Sequence, residues 1–453
     1  MKNYAKISHV VSLSLILLGG FLGVPRAEAQ LTLGKLVQSS EKDLDVRYRD
    51  VADAIVLFQR GNGPAALNML RTAKQQHAEL PPGEIMFAHL CFASGNTKPG
   101  REILQVAAVE AQDDPEVWNM LADLQLREGH FAEADLLFSK AIDVANKFKG
   151  NVKRREAQLI NAYAGAAMTN ERRSQWELAE YYLRAWIKLA PQTAEVYPRL
   201  AATLINTNHF DQAMKVLQDL RTLDPNQLPA EITLGMTYQR LGKTEEAKQS
   251  MLGGLEKHAD DFGSQIAVAR WSLGVGDLDR ARTCAAAALA LQKNSHLPDL
   301  INAQADYLQG KFAEAEAGFQ KVYQDQPANY DAINGLALSM LAQNDAAKNK
   351  LALQYAELNA KSNNDFRAPR GIQAASLLSW ALFHNDKKEE AIKLMATIIT
   401  NSSVSPETGY YAAVLFADQG RKDVAKELLT KALASKTPFA YRNKAEALLE
   451  AVK

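Results

Sequence analysis

The side chains with most capacity for chemistry in this chain are spaced so that little of it is assembled locally. The eight histidines are His9, His77, His89, His130, His209, His258, His296 and His384. None forms an H-x-x-x-H or H-E-x-x-H pair, the spacing that puts two imidazoles on one helix face for zinc, so no metal site is expected. Gly242-Lys243-Thr244 matches the end of a phosphate-binding loop, but Thr237 stands where the loop's first glycine is required. No G-x-S-x-G elbow and no Cys/His arrangement stands out. Carboxylates scatter along solvated helix faces. The reading is therefore no catalytic residue, no cofactor site and no metal. A carboxylate pair converging only in three dimensions would leave no sequence signal. One run has concentrated charge: Lys147, Lys149, Lys153, Arg154 and Arg155. It fits contact with an anionic partner such as a lipid headgroup or acidic glycan, or else a solvated face or the extended end of a helix. Cys91 and Cys284 are the only cysteines and read as small buried apolar residues rather than a disulfide.

What would position such side chains is a repeat. Ala66, Ala134, Ala179, Ala213, Ala247, Ala281, Ala315, Ala391 and Ala425 share one local setting, after a short polar turn and four residues before an apolar one. From Ala179 to Ala315 the spacing is 34 residues four times over, and Gly100 fills the slot between Ala66 and Ala134. Internal repetition at this period marks a helical solenoid. Around Ala247, Leu234 and Tyr238 share a helix face, Gly235 and Ala247 are small enough for close helix approach, and Gly242 sits in the turn between. The unit around Ala134 repeats this with Trp118, Leu121, Ala122, Gly129, Phe131, Phe138 and Ala141, which puts Trp118 between helices. The unit around Ala213 uses Tyr197, Leu200, Ala201, Leu204, Phe210, Leu217 and Pro225.

These residues resemble the tetratricopeptide repeat family: large apolar, Leu, small, aromatic, then Ala, aromatic or Leu, Ala and a closing Pro, supplied here by Pro191, Pro225 and Pro327. The resemblance runs from about Arg47 to Phe439. It implies an all-α, right-handed α-solenoid (superhelix) of about eleven helix pairs. Two units depart from the pattern. Before Ala315, Asp299, Asn302 and Asp306 fall where packing residues belong, so the helix shifts toward Leu300, Ala303 and Tyr307; in the next unit Asn349 takes the alanine slot.

The resemblance also implies that the first helix of each pair lines a concave groove, through residues one, five and eight positions after the first packing residue. On this chain these are Asn119, Asp123 and Leu126; Pro198, Ala202 and Ile205; Ile232, Met236 and Gln239; Ser376, Trp380 and Phe383; Tyr410, Val414 and Ala417. The Lys, Asn and Arg set of the family's carboxylate-clamping members is missing. The candidate partner-binding residues are thus Asn119, Asp123, Met236, Gln239, Trp380, Phe383 and Tyr410. Trp380 and Phe383 are surplus to their pair's own packing and share a face, so they either anchor a partner or pack against the C-terminal helix.

The N-terminus differs in kind. Lys2 and Lys6 precede an apolar stretch from Val10 to about Leu22, followed by Ala27-Glu28-Ala29, which describes a secretory signal peptide. The expected organisation is a signal peptide at 1–29, a lead-in at 30–46, repeats 1–3 at 47–148, a basic insert at 149–159, repeats 4–9 at 160–361, a loop insert at 362–371, repeats 10–11 at 372–439 and a capping helix at 440–453. Residues 1–29 remove Lys2, Lys6, Arg26 and Glu28 from 52 basic and 52 acidic side chains, leaving 49 against 51. That balance argues against nucleic acid. The expectation is a non-catalytic scaffold, periplasmic or secreted, in an envelope complex with a protein partner and with no stable membrane span after cleavage. The alternatives are an uncleaved inner-membrane anchor and, for function, an envelope or carbohydrate-processing enzyme.

Overall fold

The computed structural model describes residues 47–365, 368–401 and 404–452. The expected signal peptide, the lead-in at 30–46, and Phe366 and Arg367 of the second insert lie outside the described residues. Those residues form 23 helices and no strand. They divide into two compact units, up to Gln227 and from Leu228 onward.

The first unit holds ten helices: α1 (Arg49–Gln59), α2 (Gly63–Gln76), α3 (Gly83–Ala93), α4 (Thr97–Glu110), α5 (Pro115–Arg127), α6 (Phe131–Lys147), α7 (Val152–Arg172), α8 (Trp176–Leu189), α9 (Val196–Asn206) and α10 (Phe210–Leu223). The second holds thirteen: α11 (Ala230–Arg240), α12 (Thr244–Lys257), α13 (Phe262–Val275), α14 (Leu278–Leu291), α15 (Leu297–Leu308), α16 (Phe312–Asp325), α17 (Tyr330–Ala342), α18 (Ala346–Ser362), α19 (Pro369–His384), α20 (Lys388–Asn401), α21 (Pro406–Asp418), α22 (Lys422–Ala434) and α23 (Arg442–Ala451). Eleven pairs and a final helix make an all-α repeat solenoid.

One backbone device separates the two helices of every pair. The residue five before each slot position has positive φ: Gly61, Gly95, Gly129, Gly242, Gly276, Gly310 and Gly420, and also Ser174, Asn208, Asn344 and Asp386. Glycine adopts this left-handed conformation without a Cβ penalty, and here it closes the first helix. The next amide then reaches back over the cap, as Asn96 N does to Cys91 O at 2.8 Å and His130 N to Gln125 O at 2.9 Å. The slot residue follows as the fourth residue of the second helix, and every slot alanine is fully buried. Close approach depends on small residues: a Cβ on Gly235 would lie 2.6 Å from Met251 Cγ. Asn349 fills its slot with a polar side chain, bonded weakly to His384 O at 3.4 Å, and accepts a bond from Asn385 on its own carbonyl at 2.9 Å.

The apolar core is a chain of clusters, each shared by neighbouring pairs. In the first unit Val51, Leu70 and Met86 lead into Ile85, Leu104, Val117 and Met120, and then into Ala122, Phe138 and Ala166. In the second, Ile232, Met251 and Ile266 continue to Ile301, and a larger cluster runs from Leu300 to Val452. The shifted helix before Ala315 buries Leu300, Ala303 and Tyr307. Its displaced acids pair outward, Asp299 with Lys321 at 3.0 Å and Asp306 with Arg282 at 2.8 Å.

Two expectations need correction, and one open alternative is decided. Trp118 is only half-buried. Val117 and Met120 carry the core there, while the indole N–H donates to Gln112 O at 2.9 Å and the Lys140 ammonium lies over the ring. The basic insert takes the helical alternative for most of its length: α6 runs to 17 residues and α7 to 21, with residues 148–151 between them. The second insert is shorter as a loop than expected: α18 extends to Ser362 and α19 begins at Pro369.

Candidate functional site

In the first unit the lengthened α7 covers what the repeat pattern leaves open. Its first turn brings Arg154 onto α5. Arg154 donates to both oxygens of Asp114 at 2.6 and 2.7 Å and to Glu116 Oε2 at 2.6 Å. Glu116 Oε1 meets His89 Nε2 of α3 at 2.7 Å. Burial alone would raise the Glu116 carboxyl, but His89 and Arg154 hold it below the usual range. One turn further, Gln158 accepts from Asn119 Nδ2 at 2.7 Å. Arg154, Asp114, Glu116, Asn119 and Gln158 are all buried. This is a structural lock: removing one member of such a buried ion cluster leaves an uncompensated charge, a cost of about 3–5 kcal/mol.

The sequence-derived sites change accordingly. Arg154 leaves the proposed anionic-partner patch, because a buried guanidinium holding two carboxylates has nothing to offer a ligand. Lys147, Lys149 and Lys153 are exposed and Arg155 is half-buried. Asn119 leaves the groove, since Gln158 covers it. Asp123 stays exposed on α5, and surrounding protein raises its carboxyl against the opposing pull of Arg127 and His89. In the second unit Met236 and Gln239 are half-buried, and Gln239 Oε1 accepts from Trp271 Nε1 at 3.0 Å.

Trp380 and Tyr410 are corrected to core. Both are buried, and Trp380 stacks on Tyr411 at 4.5 Å between ring centroids. Tyr410 stacks on Tyr441 at 5.1 Å, just before α23. Phe383 is half-buried, with the Lys388 ammonium over its ring. Trp380 and Tyr410 thus pack against the chain's own C-terminal segment.

That segment helps to line a cavity of the second unit. Thr437 and Pro438 form part of its wall, and Pro438 lies beside Gly276 at the end of α13. The cavity is about 550 Å³ and is lined by the first helices of five successive pairs, α13, α15, α17, α19 and α21. Gln304 stands exposed on its wall, with Asn334, Gln373 and Ser376 as further polar groups. Arg270, Asp331 and Arg370 are its exposed charges. Deeper in, Tyr307 donates to Glu407 Oε1 at 2.8 Å, and its oxygen lies 3.3 Å from the Tyr411 hydroxyl. Glu407 is half-exposed to the cavity, but the surrounding protein desolvates it and pushes its carboxyl up to about 7, which hydrogen bonding to Tyr307 and Tyr411 only partly offsets.

Most of this cavity went unnamed in the sequence reading, although a signal existed. The same one, five and eight offsets, applied to the pairs around Ala281, Ala315 and Asn349, select nine residues, of which Arg270, Leu273, Leu300, Gln304, Tyr307, Asn334 and Leu338 line it while Ile266 and Leu341 are core. Ser376, which those offsets did select, lines it too. Glu407 had no such signal.

The two-helix unit with its recurrent buried slot and left-handed turn defines a class of helical-repeat protein, and comparison supplies the family. A tetratricopeptide repeat model matches residues 57–124, and a second matches 115–148 and 232–256. With the repeat geometry, these matches make the chain a tetratricopeptide repeat protein. No curated protein matches it. Similar solved structures include yeast Tom70, at 15% identity and a TM-score of 0.38, covering 90% of this chain and 96% of that one. The APC/C Cut9–Hcn1 hetero-tetramer aligns at 13% identity and a TM-score of 0.44, over 90% and 97%. A tetratricopeptide repeat protein from Parabacteroides merdae aligns at 13% and 0.34, over 65% and 99%.

Proposed function

We propose that this chain is exported and acts as a non-catalytic scaffold in the cell envelope, holding a partner peptide or helix in the cavity of its second unit. Tetratricopeptide repeats are protein-interaction scaffolds in general. The observation that carries the finer reading is the cavity itself: five first helices line one concave pocket with a few convergent polar groups, the usual form of a recognition site. Export rests on Lys2, Lys6, the apolar stretch and Ala27-Glu28-Ala29. Among the described residues no helix is long and apolar enough to cross a membrane.

A second reading, an envelope or carbohydrate-processing enzyme, draws on Glu407, whose carboxyl at about 7 is in a general acid's range, with Asp331 as another carboxylate on the cavity wall. The two readings separate in one experiment. Gln304→Trp should fill the cavity and abolish retention of the partner from periplasmic extract, with the melting temperature unchanged. Retention as strong as wild type would refute the scaffold reading of this cavity. Hydrolysis of a cell-wall glycan that is lost in Glu407→Gln would establish the enzyme instead.

A further inference from the structure

Several enclosed carboxylates in this molecule are paired with a cation. Glu84 holds Arg71 at 2.5 Å, Asp114 and Glu116 share Arg154, Glu171 holds Arg199 at 3.1 Å, and Glu316 holds Lys348 at 2.6 Å. Glu407 is enclosed without one. Among the described residues no Lys, Arg or His forms an ion pair with it. Its neighbours are the hydroxyls of Tyr307 and Tyr411, with Tyr441 close behind. The arginines of the cavity are engaged elsewhere or exposed: the Arg370 guanidinium lies 5.2 Å over the Tyr330 ring, and Arg270 reaches solvent.

An anion withdrawn from water needs a counter-charge, or else it takes up a proton. Here the carboxylate faces an open cavity, so the counter-charge can come from outside. Tyrosine rings around it add favourable interaction with a cation. The apolar wall of Leu300 and Leu338 suits the methylene stem that carries such a charge. We propose that Glu407, with the Tyr307 and Tyr411 hydroxyls, forms a subsite for a basic side chain, a lysine ammonium or an arginine guanidinium, of the peptide bound in this cavity. The proposal rests on the reading of the cavity as a peptide site. A metal ion is a poorer occupant, since among the described residues no group of three or more His, Cys, Asp or Glu converges to hold one.

The geometry makes binding pH-dependent. The charged groups facing the cavity are Glu407 on α21, Asp331 on α17, Arg370 on α19 and Arg270 on α13, with Tyr307, Tyr411 and Tyr441 as the neighbouring phenols. The phenols are all raised by burial, so Glu407 is the group that changes charge near neutrality. Its folded value lies above the ordinary 4.5. The fold therefore favours its protonated form, and the stability this contributes is complete below about 4.5 and lost as pH rises through about 7.

The test uses the full chain and three capped pentapeptides, Gly-Ala-X-Ala-Gly with X as lysine, arginine or norleucine, titrated by calorimetry at pH 6 and pH 8. The lysine and arginine peptides should bind about tenfold tighter than the norleucine peptide at pH 8, and about tenfold tighter at pH 8 than at pH 6 as the ionised fraction grows. Glu407→Gln should abolish both differences. Its melting temperature at pH 8 should equal or exceed that of wild type, because an unpaired anion has been removed. Equal binding of all three peptides would overturn the basic subsite while leaving the peptide site intact. Binding of none would overturn both. A lower melting temperature for Glu407→Gln at pH 8 would show that the fold already supplies a counter-charge, and the subsite would fail on that ground.

Discussion

Trp380 lies against Tyr411 and Phe383, stacked on both, and is almost fully buried. Trp118 occupies the large-apolar position of its own pair but keeps its ring at the rim, beneath a lysine. The expected costs of truncation follow burial rather than repeat position. Trp380→Ala should cost about 3–5 kcal/mol, and Trp118→Ala about 1 kcal/mol, both measured by urea unfolding of the full chain. Equal losses would place the two indoles in equivalent environments, contrary to the packing described. Residue types alone could not make this distinction. Trp380 and Tyr410 sit at groove offsets, but Tyr411 stacks over the first and Tyr441, a residue outside the repeats, over the second. Asn119 and Arg154 differ from expectation for a similar reason: Asn119 faces the extension of α7 and Arg154 lies within it, and the sequence left the helical course of that extension open. A buried arginine and a solvated one are the same letter, and only the carboxylates brought to it by the fold tell them apart.

At the scale of the helix pair, the sequence was most informative. The slot alanines and the glycines five residues before them impose the same geometric demand on every pair, so their beat announced both helices and the turn between. Where the turn residue is not glycine, the demand persists and costs energy. Ser174 holds φ at 56° on an exposed turn, without the local tolerance that Asn and Asp bring to that conformation. Ser174→Gly should therefore stabilise the protein by up to about 1 kcal/mol, read as a higher urea midpoint at unchanged slope. A lower midpoint would mean that the turn is held by something other than its backbone conformation. The inserts were less legible. Eleven additional residues between Ala134 and Ala179 are equally compatible with a loop or with longer helices. The decision for helix comes from Arg154 and Gln158, which gain buried partners on α5 only when the first turns of α7 are helical.

Within the second unit, the features that create the cavity arise from long separations. Tyr307 and Glu407 meet across a hundred residues, and Pro438 reaches back to Gly276. Such meetings accumulate from small rotations between successive pairs, which no single repeat encodes. The groove offsets remained valid in the middle pairs, where Gln304 and Asn334 line the cavity. At the C-terminal pairs they still placed Ser376 on the wall, but Trp380 and Tyr410 are covered by the chain itself. The central claim is that this cavity, rather than the outer helices, receives the partner. A photo-reactive amino acid placed at Gln304 or Gln373 in the cavity, and at the exposed Leu358 of α18, tests it directly in intact cells. The account predicts one discrete protein adduct from positions 304 and 373, reduced by a cavity-filling substitution at Asn334, and none from 358. An adduct formed from 358 but absent from 304 and 373 would contradict it.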